Sequence, residues 1–219
     1  MTAIYHKLYR ASWVLLSLLL LSACSSAYYG AMEQVGVHKR DILVDRVDAA
    51  RDAQAEAQTE FRSALERLDS LLNVDGGELE SRYEALDADY QASQAAAEAV
   101  RERIAAVDDV AQALFDEWSD ELDQYSNDNL RRDSAAKLRD TERRYGQLID
   151  AMQRAAEKMD PILAKLLDNV LYLKHNLNAS SLDTIRDEYQ GLEADIGVLI
   201  ADMERAIAES DSFIQTLQQ

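Results

Sequence analysis

The sequence predicts an all-α protein, an elongated antiparallel helical bundle with coiled-coil-like heptad packing and four long helices. Three observations predict it. Seven glycines and one proline are all that interrupt 219 residues rich in Ala, Leu, Glu, Gln and Arg, the composition of long helices. Apolar residues recur in a 3-4 alternation through four separate segments, the period of helices that pack lengthwise. Short clusters of turn and capping residues separate the segments, and short loops between long helices force antiparallel neighbours.

The chain opens with Lys7 and Arg10 and no acidic side chain among its first ten residues, followed by an uncharged, mostly apolar run from Ala11 to Leu20. This is the charged and apolar start of a secretory signal, shorter than the ~20 apolar residues of a membrane span. Leu21-Ser22-Ala23 then lead to Cys24, the single cysteine of the chain. That order matches a bacterial lipobox, whose cysteine is diacylated and becomes the new N-terminus. The expected organisation is a lipoprotein signal peptide over 1–23, an acylated N-terminus and short tether over 24–27, and a helical bundle over 28–219. Each buried methylene contributes about 0.8 kcal/mol, so one acyl chain holds marginally and two or more hold firmly. Ser25 stands where an aspartate commonly marks retention in the inner membrane. The predicted location is therefore the periplasmic face of the cell outer membrane, reached through lipid on Cys24.

Helices are expected over 28–73, 78–125, 128–177 and 180–217. The first carries the seam Val47, Ala50, Gln54, Ala57, Phe61, Ala64, Leu68, Leu71. Asn73-Val74-Asp75-Gly76-Gly77 ends it with residues that accept left-handed backbone angles. The second runs from Leu79 through Leu86, Ala97, Ile104 and Ala111 to Trp118. Ser126-Asn127-Asp128-Asn129 follows, with Asn127 or Asp128 ready to cap the third helix. The third seam includes Leu138, Tyr145, Met152, Met159, Leu166 and Leu173, and the fourth Leu182, Tyr189, Ile196, Met203, Ser210 and Leu217. Ser180 or Ser181 is expected to cap the last helix. Pro161 lies inside the third seam, where a proline costs several kcal/mol in a straight helix, so a bend is expected there.

With 41 acidic against 23 basic residues the chain carries a formal charge of −18. Such a surface repels phosphate backbones, and no nucleic acid is expected as a partner. A lone cysteine leaves no internal disulfide, so stability rests on packing. Only the third helix is basic on balance, with 10 basic against 8 acidic residues over 128–177. Its Arg131, Arg132, Arg139, Arg143 and Arg144 are expected to face Asp116, Glu117, Asp120, Glu121 and Asp123 across the hairpin, each pair weak alone but together fixing register.

The sequence contains no Gly-rich phosphate loop, nucleophile elbow or His-Glu-x-x-His, so no catalytic residue, metal or cofactor is assigned and the chain is not expected to be an enzyme. His38 and His175 fall at opposite ends of the predicted bundle, too far apart to share a metal. Asn73, Asp75, Glu78 and Glu80 offer oxygens without the spacing of an EF-hand. Two polar stretches interrupt the seams. Near the acylated end, Tyr28, Tyr29, His38, Lys39 and Arg40 suit a membrane–water interface, where aromatic rings sit at headgroup level and cations meet anionic lipid. At the far end, Tyr172 to Asn178 has the features of a helix C-terminus, with Lys174 and His175 complementing the dipole.

Three strings, Tyr28-Tyr29-Gly30-Ala31-Met32-Glu33, the run from His38 to Val47, and Leu173-Lys174-His175-Asn176-Leu177-Asn178-Ala179, carry a resemblance over nearly all of residues 24–219. The chain resembles the gammaproteobacterial lipoproteins of unknown function that join a lipobox to an acidic all-helical domain. The resemblance implies a lipid anchor and a helical bundle, and no catalytic residues. The expected function is that of a structural or scaffold lipoprotein, with a cell-envelope protein as candidate partner. The alternative is a periplasmic sensor or ligand-binding bundle with a pocket between helices near Pro161.

Overall fold

The structure, a computed structural model, describes residues 28–34, 36–73, 79–176 and 179–218. The signal segment, Cys24 and the 24–27 tether lie outside the described residues, as do Asp75, Glu78 and Leu177. Helix α1 covers residues 28–34, α2 Lys39–Leu72, α3 Leu79–Leu122, α4 Asp128–His175 and α5 Ala179–Leu217. Helix α2 packs on α3 and α5, and α4 packs on the same two. Neighbours in the chain are neighbours in space, so the four long helices run up, down, up, down. The 48 residues of α4 rise 1.5 Å each and give the rod a length of about 70 Å. No helix among the described residues is long and apolar enough to cross a membrane.

The heptad seams form the core. Every seam residue from Val47 to Leu71 is buried, and so is every one from Leu138 to Leu173. Aromatic rings mark one layer, where Tyr145 lies edge-on to Phe115 at 5.4 Å and tilted against Phe213 at 6.2 Å. The Tyr145 hydroxyl donates to Asp108 Oδ1 at 2.5 Å, and burial followed by the nearby carboxylate pushes its pKa upward. Ser93, Thr141 and Ser210 bury their hydroxyls by donating to the carbonyl four residues back, and Asn169 does the same with its amide. Gln54 is different. Its side chain is fully buried, yet neither amide atom meets a hydrogen-bonding partner in the protein.

Two features depart from expectation. The first helix is two helices, because the chain turns at Gly36, the one described residue with a positive φ, +85°. Gly36 N–H donates to Glu33 O and Val37 N–H to Met32 O, both at 3.0 Å, the paired bonds of a Schellman stop with glycine in the left-handed position. Helix α4 carries Pro161 inside it, where the third seam placed it. Helix α5 already begins at Ala179, so Ser180 and Ser181 fall within its first turn and do not precede it. Asn127 does cap α4, its side-chain oxygen accepting from Asn129 N–H at 2.9 Å and Leu130 N–H at 3.3 Å.

The arginine ladder across the α3–α4 hairpin is corrected by the structure. Arg131 pairs with Asp128, and Arg143 and Arg144 both pair with Asp140, all within α4. Arg132 donates to Asn129 Oδ1. Helical i,i+3 and i,i+4 partners lie within easy reach on one helix surface, and they win over the longer span between helices. Long-range pairing occurs elsewhere: Arg67–Asp89 joins α2 to α3, Arg51–Asp211 joins α2 to α5, Arg101–Asp160 joins α3 to α4, and Lys165–Asp195 joins α4 to α5. Lys158 also crosses from α4 to Asp202 on α5, which is buried and held by Arg205 as well. The Lys158 hydrogen bond leads the causes that lower the Asp202 pKa.

Candidate functional site at the ends of the rod

Helix α1 lies back along the bundle near the start of α2. Tyr29 is buried, lies edge-on to Tyr28 at 5.4 Å and donates its hydroxyl to Asp109 Oδ2 on α3 at 2.5 Å. Burial first, then the Asp109 bond, raises the Tyr29 pKa, so the phenol stays neutral and keeps donating. Lys39, at the first turn of α2, bridges Glu33 of α1 and Glu117 of α3, the latter at 2.8 Å. Burial alone would lower the Lys39 pKa, but the bonds from Glu117 and Glu33 outweigh it and raise it.

These contacts divide the five residues expected at a membrane interface. Tyr29 and Lys39 hold α1 to the bundle through Asp109, Glu33 and Glu117. Tyr28, His38 and Arg40 are exposed. His38 occupies the N-cap position of α2 without a side-chain cap bond. Arg40 lines an open groove of about 670 Å³ with Trp118, Lys137, Thr141 and Leu217, so the start of α2 and the end of α5 meet α3 and α4 at one level. The Trp118 indole N–H donates to Ser134 Oγ at 2.8 Å across the α3–α4 pair.

Among the described residues, only the α3–α4 hairpin continues beyond that level. Residues 123–133 are all exposed, including Tyr125 and Leu130. The spacing put Tyr125 at the close of the second seam, yet it is exposed, and Leu130 was not singled out, although an apolar residue off the α4 seam was the available signal.

At the opposite end, an open cleft of about 400 Å³ lies between α4 and α5, where Tyr172, Asp168, Asn169 and Glu188 border a floor that includes Ile185 and Leu192. Tyr172 and its neighbour Leu171 are exposed. Helix α4 stops with Asn176 donating its backbone N–H to Leu173 O at 3.1 Å and its side-chain amide to Tyr172 O at 2.9 Å. The groove nearest Pro161, about 340 Å³, lies on the surface between α3 and α4, beside Arg101, Asp108 and Asp160. Among the described residues no group of three His, Cys, Asp or Glu side chains is placed to hold a metal ion. Asn73, one of the loop oxygens considered for a cation, directs its amide back to Asp69 O at 2.9 Å.

No curated protein matches the chain. A family model described as a protein of unknown function, DUF2959, matches residues 28–217, from the first turn of α1 to the last of α5. The chain belongs to that uncharacterised family.

Proposed function

We propose that the chain is a non-enzymatic structural lipoprotein, anchored by acyl chains on Cys24 to the periplasmic face of the outer membrane and offering its helical rod as a scaffold for another envelope protein. The observation that carries this reading is the continuity of the core. Buried apolar layers fill the bundle from Leu43 to Leu71 on α2 and from Leu138 to Leu173 on α4, and the grooves described above are open to the surface. A bundle packed in this way supplies length and stiffness. The lipobox order at Leu21-Ser22-Ala23-Cys24 supports the anchor, and the acidic surface argues against nucleic acid.

The test has two parts. Metabolic palmitate labelling of the wild type should be lost in Cys24→Ser, with an unprocessed precursor in its place. Unchanged size and outer-membrane fractionation of Cys24→Ser, alongside an unlabelled wild type, would overturn the anchor. Crosslinking and pull-down of the acylated protein from native membranes should then recover a stoichiometric envelope protein, and its loss on charge reversal of exposed residues along the rod would identify the scaffold face.

A second reading is favoured by the α4–α5 cleft. Asp168 and Glu188 beside the Tyr172 ring, over an apolar floor, suit an amine-bearing amphiphile, since a cation is attracted by both the carboxylates and the aromatic face. Saturable binding of such a compound to wild type but not to Tyr172→Ala would support the sensor reading over the scaffold.

A further inference from the structure

Helix α1 points away from the tip of the rod as it is traced back toward the N-terminus. Tyr29 meets Asp109, and α3 continues thirteen residues beyond Asp109 to Leu122, a rise of about 20 Å. Measured instead from the Glu33–Lys39–Glu117 bridge, Tyr28 stands about 15 Å short of the same point. The hairpin turn then adds further length. Three residues separate Cys24 from Tyr28, and the four peptide steps between them span at most about 14 Å however they are arranged. Along the rod axis a lipid-bearing Cys24 therefore cannot be carried past the α3–α4 hairpin, and a rod standing with this end toward the bilayer brings the hairpin tip to it.

We infer that the α3–α4 hairpin tip, with Tyr125 and Leu130 at its apex, is a second membrane contact that rests in the headgroup layer of the bilayer to which Cys24 is anchored. The inference rests on the lipoprotein reading above and adds a surface to it. Its side chains suit that layer. Tyr125 is 39% and Leu130 56% exposed, large apolar groups without a place in the core, and tyrosine favours the membrane–water interface. Arg131 and Arg132, both exposed, have long side chains that reach phosphates while their stems lie along apolar surface. Glu121, Asp123, Asp128 and Asp133 stand in the same region, so anionic lipid offers no net attraction. The contact is with zwitterionic headgroups, held by the anchor and by shallow insertion of Tyr125 and Leu130, and it is insensitive to salt.

The test uses the acylated full-length product, whose only cysteine is blocked by lipid, carrying either Leu130→Cys or Leu171→Cys labelled with an environment-sensitive fluorophore. Leu171 is similarly exposed, at 48%, and sits at the other end of the rod. In vesicles of phosphatidylcholine and phosphatidylethanolamine, the label at 130 should shift to the blue and be quenched several-fold by headgroup spin-labelled lipid. The label at 171 should stay water-like, and high salt should change neither. Substituting Tyr125→Ser should reduce the quenching at 130 while flotation with the vesicles persists. Equal, water-like emission from both positions in floating protein would overturn the tip contact and leave the anchor standing. Failure of the purified protein to float would overturn the anchor and the tip contact together.

Discussion

Tyr29 and Asp109 are eighty residues apart and share a 2.5 Å hydrogen bond, which holds α1 against the long helices. The bond joins a buried ring to an exposed carboxylate, so losing it leaves Asp109 to water and costs only the net value of one hydrogen bond, about 1 kcal/mol. Tyr29→Phe should increase hydrogen exchange in residues 28–34 while the long helices stay protected. Gly36→Ala should act on the same unit through the backbone, because space is open around the added methyl but the φ of +85° costs a β-carbon about 1–2 kcal/mol. Uniform loss of protection along the whole rod in either variant would show that α1 is not a separate docking unit.

Gln54 offers a gain in stability. An amide taken from water into a core without a partner costs about 1–3 kcal/mol, and both amide atoms of Gln54 are in that position. Gln54→Met keeps the length and removes the polar atoms, so it should raise the unfolding free energy by about 1–2 kcal/mol. Urea denaturation would measure this. A loss of stability would mean that the amide is satisfied in solution.

Reversal of Arg139 and Arg143 to glutamate separates the observed pairing from the expected ladder. Arg143 meets Asp140 on its own helix, and exposed pairs of that kind contribute little. The double variant should melt close to the wild type even at low salt, and further reversal of Asp116 and Asp120 should not act as compensation. A pronounced, salt-sensitive loss that those reversals restore would place the arginines against α3 after all.

The long helices were legible because burial repeats with their period. Val47, Ala50, Gln54 and Ala57 are read from spacing alone and all are buried, and the same holds for Ile196, Leu199, Met203 and Ala206. Asn127 was legible as a cap from its type and place. The Gly36 stop was not, because Val37 and Val44 continue an apolar pattern across the turn and the missing heptad contact alone does not distinguish a break from a polar layer. The charge ladder failed for a different reason. Composition placed acids and bases on facing helices, but each arginine had an acidic residue three or four positions away, and periodicity says nothing about which partner is taken. At the near end, Tyr29 and Lys39 have the chemistry of interface residues, and their assignment to α1 docking depends on contacts with Asp109 and Glu117 that are remote in sequence.

Pro161 tests how α4 tolerates its one interior proline. The residue is exposed and the helix continues through it, so its ring contributes little packing while it removes the bond to the Glu157 carbonyl. Proline costs about 3 kcal/mol relative to alanine inside a helix, offset by up to about 1 kcal/mol from its restriction of the unfolded chain. Pro161→Ala should therefore raise stability by about 1–2 kcal/mol in denaturant titration. A destabilised variant would mean that the bundle is packed around a bend at this position.

Asp202 should make the bundle acid-sensitive in a defined window. Its carboxylate is buried between Lys158 and Arg205, and the Lys158 bond leads in holding its pKa below the ordinary 3.8. In the unfolded chain the group protonates near 3.8, before it does in the folded protein, so the unfolded state binds more protons as the pH falls. The contribution is therefore present at neutral pH and is lost as the pH drops from about 3.8 through the lower folded value. Both cations are about half exposed, so screening limits the contribution to about 1 kcal/mol. Asp202→Asn should be less stable than the wild type by that amount at pH 7, and the difference should close below pH 3.8 as the wild-type carboxyl is neutralised. Denaturation curves for the two proteins at matched pH values would show this convergence. A difference that persisted unchanged into acid would mean that Asp202 stabilises α5 through packing and neutral hydrogen bonds, with no part played by its charge.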